Sequence, residues 1–410
     1  MSLKTTIKKT RELIRIYQAE RFLEGRTQNL IEHIPKQVNK SRQYVDSLRV
    51  KDGIYGRYRY TEKGKIPLLY ASVFAALFCH IVGDLQSISL DERAQWAEYI
   101  RSHQCSDGLF KDAAVSNAIA ETEDWWGWRH LTLLCLMALY ALGSTPVVSL
   151  NYLETYDSPQ KIKQWIGRLD WGERASYSSN AVQNVCGSFQ FFRDANPGLK
   201  TQSLINTILF EVSERCNSNN GLWGRNSNVY RALSEGVQAA YHFWLLYWYE
   251  GYNIPFPEQA FESLLTLQNK LGGFDLENIF STACQDIDAL YPIVVLSTQK
   301  KEFYEKSSHF IHRGLLWNSL NFNKNGGACF QKYAAFEYGH PLMSNPKGGS
   351  SIFATWFRTL LLAYCYPVFY SSLSSTAKAN ASDYLLKFHF LDCPGYQYSP
   401  NFNKYHREYS

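Results

Sequence analysis

No CxxC pair, GxGxxG, P-loop or HExxH occurs in this chain of 410 residues. The local signatures of thiol redox sites, dinucleotide folds, nucleotide hydrolysis and zinc peptidases are therefore missing. Strand signals are scarce as well, because no Asn-Gly or Asp-Gly turn lies between runs that alternate apolar and polar residues. Apolar stretches such as "LTLLCLMALYALG" fall short of the roughly 18 residues that a membrane span needs. The first residues lack the charged-then-apolar order of a secretory leader. Nine cysteines, an odd number without regular spacing, read as reduced thiols. These features lead to the expectation of a cytoplasmic protein. A net charge of +5 is too small and too dispersed to imply a nucleic-acid partner.

Aromatic residues are what the chain has in quantity. With 28 Tyr, 24 Phe and 11 Trp they make up 15% of it, and as a group they favour an aromatic-walled cavity for apolar, cationic or sugar ligands. Hydrophobic residues amount to 45%, enough for a sizeable core. The length suits one large domain or two of ordinary size.

Basic residues are densest near the start, at Lys4, Lys8, Lys9, Arg11, Arg15, Arg21 and Arg26, interleaved with Leu13, Ile14, Tyr17, Phe22 and Leu23. Residues 1–60 read as a basic helical arm and 61–410 as a single domain. The arm is either a solvated helix capping that domain or an amphipathic helix in peripheral contact with a membrane.

The domain repeats itself. "CSDGLFKD", "LDWGERAS", "NSNNGLWG", "QNKLGGFD" and "NKNGGACF" are polar-glycine turns, matched at Gly108, Gly172, Gly221, Gly273 and Gly327, with a loose period of about fifty residues. After each turn comes a strongly apolar helix, such as "GVQAAYHFWLLYWYEG" or "IFATWFRTLLLAYCYP". Before it comes a more amphipathic one, such as "FPEQAFESLLTLQNK". A helix apolar on every face must be surrounded by other helices. Five or six such hairpins closing on themselves give two concentric helical rings, an all-α toroid; an open solenoid is the alternative.

These glycine-turn–aromatic repeats between helix pairs resemble the α/α-toroid family of terpenoid cyclases and protein prenyltransferase β subunits, over roughly residues 65–370. The fuller repeat of squalene–hopene cyclases is hinted at in "LQNKLGGF". The stretch "GGFDLENIFSTACQDIDALYPIVVLS" is similar to the acid motif of class II terpene cyclases, a glycine-aromatic turn followed by an Asp-x-Asp-Asp box at the head of an inner helix. Asp286, Ile287 and Asp288 match its first three positions, and Ala289 departs from the fourth. The resemblance implies proton-initiated cyclisation or isomerisation of a polyprenyl substrate. Asp288 would be the acid, Asp286 its hydrogen-bonded partner and His340 an orienting donor. It implies no cofactor, and an apolar isoprenoid as the small-molecule partner. Alkene protonation needs a strongly stabilised conjugate base, which donors in a dry pocket supply. The bland alternative is that Asp286 or Asp288 caps the helix.

Other readings stay open. Prenyltransferases of this fold ligate zinc through Asp, Cys and His, for which Cys284, Asp286 and His340 are the candidates. Double helical rings also house polysaccharide lyases and glycosidases, and Glu123, Asp124, Glu235 and Asp288 could supply a carboxylate pair. A degenerate site would leave a non-catalytic binding module. Trp125, Trp126, Glu235, Tyr241, Tyr291 and Trp356 are the expected substrate-binding residues, whereas His130 and His242 read as hydrogen-bonded core.

Overall fold

A computed structural model describes residues 3–27, 30–225, 229–373 and 386–399, together with all but a few side chains there. Those of Lys4, Lys8 and Arg26 in the basic arm lie outside the described set. The arm is helix α1 (Leu3–Thr27), followed by six helical hairpins. In chain order these are α2 (Leu30–Ser47) with α3 (Leu69–Ile81), α4 (Leu90–Arg101) with α5 (Trp128–Ala141), and α6 (Pro159–Gly167) with α7 (Ala175–Ala195). Then come α8 (Leu199–Ser213) with α9 (Tyr230–Tyr249), α10 (Pro257–Leu265) with α11 (Ala283–Ser297), and α12 (Lys301–Leu320) with α13 (Ile352–Ser371). A two-stranded antiparallel ribbon, β1 (Phe336–Glu337) and β2 (Ser344–Asn345), sits in the last loop.

The second helix of every hairpin forms the inner ring. Contacts run from α3 to α5, α7, α9, α11 and α13, and α13 returns to α3. That return closes the ring, so the fold is an (α/α) toroid and the open solenoid is excluded. The inner helices are buried nearly all round, as in α3, where among residues 69–81 only His80 is not buried. α13 is long and apolar enough by composition to cross a membrane, more than the sequence reading allowed, but 89% of that window is buried within the ring. Two outer helices start at side-chain caps: Ser89 and Glu92 form a capping box on α4, and Ser158 caps α6.

α1 lies along α12, where Ala19 packs with Leu271, Phe280, Trp317 and Leu320. Arg15 covers the Tyr333 ring, 4.7 Å from its centroid. Residues 30–60, expected in the arm, contribute Ile34, Tyr44, Leu48 and Tyr58 to the main core.

The glycine turns share one geometry, with one register change. Gly108, Gly221, Gly272 and Gly326 take positive φ, so the matching residues in the last two are Gly272 and Gly326, one position before those expected. Each turn is closed by a short backbone bond from Cys105, Asn217, Asn269 or Asn323 to a carbonyl just beyond the glycine. Gly326 is compelled by space as well as φ, because a Cβ there would lie 2.1 Å from the Lys40 carbonyl oxygen. Gly172 breaks the pattern. Its turn is held by the Asp170 side chain, without positive φ.

Three of these turns, and one in the first hairpin, are also fastened to their own inner helix. Two residues past the glycine, the Phe110 N–H donates to Thr132 Oγ1 at 2.9 Å, that of Phe274 to Asp286 Oδ1 at 3.0 Å, and that of Ala328 to Thr355 Oγ1 at 2.9 Å. In the first hairpin the Tyr58 N–H donates to Ser72 Oγ at 3.1 Å, again two residues past a positive-φ glycine, Gly56. Asp286 thus occupies the repeat's fastening position.

Candidate active site

A cavity of about 350 Å³ lies inside the ring where the inner helices begin, within the size range of small-molecule sites. Its lining comes from five inner helices: His130 and Leu134 on α5, Ser176, Tyr177 and Asn180 on α7, and Gln238 and His242 on α9. Cys284, Gln285 and Asp288 on α11, and Phe353, Trp356 and Phe357 on α13, complete that wall. Trp125, Phe330, Phe336 and Tyr338 reach in from loops, and Tyr396 from the C-terminal segment. α11 enters through a capping box of Thr282 and Gln285. Neither aspartate is therefore the cap of this helix.

The two acids of "CQDID" have separate surroundings. Asp286 is fully buried and used up: Oδ1 accepts from the Phe274 N–H and from Ser281 Oγ at 2.6 Å, while Oδ2 accepts from Trp317 Nε1 at 2.9 Å and from Arg358 Nη1 at 2.5 Å. The Asp286–Arg358 pair is shielded completely from solvent and ties α11 to α13. Asp288, one side of the helix away, is 3% exposed and faces the cavity. It makes no hydrogen bond among the described residues. Burial, with the charge of Asp286 added, holds its carboxyl well above the usual carboxylate range, which favours its protonated form. The expected hydrogen bond between the two acids is absent; Asp286 acts on Asp288 only through its charge.

Two histidines, from α5 and α9, share the cavity wall with Asp288. His130 Nε2 is 2.8 Å from the Tyr338 hydroxyl, and its Nδ1 is 3.4 Å from that of Tyr396. His242 Nδ1 is 2.9 Å from Ser179 Oγ. Burial lowers His130 to about 4 and His242 to about 3, so both are neutral near pH 7. They are hydrogen-bonded, as expected, and they also line the cavity, which was not.

Of the expected substrate-binding residues, Trp125 and Trp356 line the cavity. Trp126 instead packs on Gly339, and its carbonyl accepts from the Tyr70 hydroxyl. Tyr241 and Tyr291 lie behind the wall, edge to face with centroids 5.7 Å apart. Glu235 accepts from the Ser176 N–H at 3.0 Å and from its hydroxyl at 2.6 Å, steadying the start of α7. His340 is away from the site, where its Nδ1 accepts from the Leu342 N–H and caps the turn Pro341–Met343.

That placement takes the orienting role from His340 and breaks up the zinc set. Cys284, Asp286 and His340 do not converge, and no group of His, Cys, Asp or Glu among the described residues could hold a metal ion. The glycosidase pair fails similarly. Asp124 is bound bidentately by Arg129 at 2.7 Å and Glu123 pairs with Arg174, leaving Asp288 as the carboxyl in the cavity wall.

The chain matches no family model and no curated protein. Among solved structures it is similar to a polysaccharide lyase, at 10% identity over 85% of this chain and 100% of that one, with a TM-score of 0.49. It is similar to a glycosyl hydrolase of family 88 from Bacteroides vulgatus, at 12% identity, 82% and 99% coverage and a TM-score of 0.47. A type II terpene cyclase from Scytonema, in complex with its substrate geranylgeranyl dihydroxybenzoate, gives 13% identity, 82% and 98% coverage and a TM-score of 0.46. Likeness at this level says nothing about chemistry.

Proposed function

We propose that the protein is an enzyme in which Asp288 gives a proton to an uncharged, largely apolar substrate held in the aromatic cavity. An isoprenoid undergoing cyclisation or isomerisation is the substrate we favour. The observation that carries this reading is the placing of Asp288: buried, without a hydrogen-bond partner among the described residues and facing open space. A buried carboxyl whose surroundings favour the protonated form is poised as a general acid. The rings of Trp125, Phe336, Phe353, Trp356 and Phe357 would exclude water and face positive charge developing on the substrate.

The environment of Asp288 narrows the acceptor. A carboxylate left behind without a donor among the described residues, close to the charge of Asp286, is poorly stabilised, so the acid is a weak one. Protonating an alkene carbon demands a strong acid, whereas an epoxide, allylic alcohol or ether oxygen accepts a proton readily and then leaves. The proposed substrate is therefore an isoprenoid with such an oxygen.

The pairing of His130 with Tyr338 supports a second reading. Neutral imidazole and phenol side by side could serve proton abstraction and return in a glycan lyase, with Asn180 and Gln238 contacting hydroxyl groups. Exposed Leu13, Ile14 and Tyr17 beside Lys9 and Arg11 on α1 support peripheral membrane contact, a source of apolar substrate. If anionic vesicles do not sediment the protein, that contact is wrong.

Incubation with oxygenated polyprenyl substrates and with uronate-bearing glycans, with and without EDTA, followed by mass analysis, separates the readings. Isomerisation or cyclisation insensitive to EDTA is expected. Glycan cleavage giving unsaturated products would instead establish the lyase.

A further inference from the structure

The end of the ring opposite the cavity mouth is closed by one piece of irregular chain, residues 386–399, which bends back so that Leu391 pairs with Tyr398. It is anchored to five inner helices, for the most part along their C-terminal halves. The His389 N–H donates to the Ile81 carbonyl at 2.9 Å at the end of α3. The Tyr291 hydroxyl of α11 donates to the Tyr398 carbonyl at 2.9 Å, and that of Tyr364 in α13 to the Tyr396 carbonyl at 2.5 Å. Trp356 Nε1 donates to Gln397 Oε1 at 2.6 Å. On α9, Tyr249 packs edge to face on Tyr398, 4.9 Å between centroids. Met137 of α5 presses on Gly395, where a Cβ would lie 2.4 Å from its sulfur.

This anchoring thrusts one side chain up the axis. Tyr396 is buried, with its ring centroid 5.7 Å from His130, 6.2 Å from Tyr241 and from His242, and 6.4 Å from Trp356 and from Phe357. It touches helices from three sides of the ring and lines the cavity, whereas Tyr291 and Tyr364, nearer the closed end, do not. Tyr396 is thus the floor. Its hydroxyl, 3.4 Å from His130 Nδ1, is a polar point among the aromatic rings of Trp356 and Phe357.

We propose that residues 386–399 are a plug that fixes the depth of the cavity, with Tyr396 as the residue that sets the longest substrate chain the site accepts. This rests on the reading of the cavity as a site for an apolar substrate. A hydrocarbon chain entering at the mouth gains affinity with each methylene removed from water until it meets the phenol. Beyond that length further carbons stay outside or force the plug. Because the plug is held by backbone carbonyls and by the Gln397 side chain, replacing the Tyr396 side chain alters the floor without cutting those anchors.

The test uses straight-chain 1-alkanols of increasing length, with binding followed by titration calorimetry on the whole protein and by the fluorescence of Trp125 and Trp356. In the wild-type protein affinity should rise roughly fourfold per methylene and then level off. Tyr396→Leu should move that break to longer chains, so that the first alkanol beyond the wild-type limit gains roughly fourfold again. Tyr396→Trp should move it to shorter ones. Circular dichroism confirms that each variant is folded, and the two opposite shifts keep the test decisive if one variant is not. A break unmoved in a folded variant overturns the role of Tyr396 while leaving the apolar site standing. If no alkanol binds even the wild type, the apolar-substrate reading fails, and the depth role with it.

Discussion

At the end of the ring where the inner helices begin, the chain repeats itself; at the end where they stop, it uses a segment that occurs once. The repeated end is a set of glycine turns, four of them fastened to an inner helix through Ser72, Thr132, Asp286 or Thr355. The unrepeated end is the plug. The residues facing the cavity with chemistry to offer, Asp288, His130, His242 and Tyr396, hold none of the fastening positions. Repetition solves the problem of stacking hairpins, and what the ring could do to a ligand lies where the repeat is broken. Asp286 and Asp288 put both roles within three residues.

That contrast can be broken most directly at the acids. Asp288→Asn keeps the side chain's size and removes its proton, so turnover should fall about 100- to 10,000-fold in a folded protein. Near-wild-type turnover on an identified substrate would remove Asp288 from the chemistry. Asp286→Ala should do the opposite, failing in stability first. It leaves Arg358 buried without its counter-charge and unfastens the Phe274 turn, a loss of about 3–5 kcal/mol on chemical denaturation. A well-folded Asp286→Ala protein would mean that the fastening position is dispensable.

The turns themselves sharpen the comparison at a smaller scale. Gly326→Ala forces a left-handed residue and a contact with Lys40, and should cost at least about 1–2 kcal/mol. Gly172→Ala, with its nearest non-neighbouring atom 3.5 Å away, should stay within about 0.5 kcal/mol. Equal costs would refute the distinction between the two turns.

Asp288→Asn also carries a pH signature. An acid held protonated in the fold and free to ionise when unfolded stabilises the native state fully below its unfolded pKa, near 4, and that advantage is lost as pH rises toward its raised native value. The melting temperature of Asp288→Asn should therefore exceed that of the wild type at pH 7, with the gap closing toward pH 4. His130 and His242 work in the other direction. Lowered to about 4 and about 3, they support the fold above about 6.5, and that support drains away as pH falls through the window below it. Replacing either with Gln should flatten the acid side of the stability profile. A profile unchanged below pH 6.5 would contradict their neutral, buried state.

Much of the ring was legible because it is written in local patterns. Apolar helices following polar-glycine turns, about fifty residues apart, require a stack of hairpins, and glycine is forced wherever the backbone turns left-handed. Asp288 stood out because an acid inside an apolar helix has a solvation cost that needs a reason. The one-residue shift to Gly272 and Gly326 was not readable, since two adjacent glycines satisfy the same pattern and only the φ angles choose between them. Nor was the misplacement of His340, Trp126, Tyr241 and Tyr291, because spacing from a turn gives the level of a residue in the ring but not the direction of its side chain.

The sequence by itself determined a stack of helical hairpins rich in aromatic residues, because period and polarity act over a turn or two of chain; that the stack closes is shown by the contact of α13 with α3. Only the tertiary structure decided which of two neighbouring acids is spent on Arg358 and which is left bare, since that depends on a partner 72 residues away. It also decided that a tyrosine outside every repeat becomes the floor of the cavity. Contacts between residues 266 positions apart, such as Tyr396 with His130, leave no trace in local pattern; they exist because closing the ring brings six helices around one axis and leaves one segment to fill it.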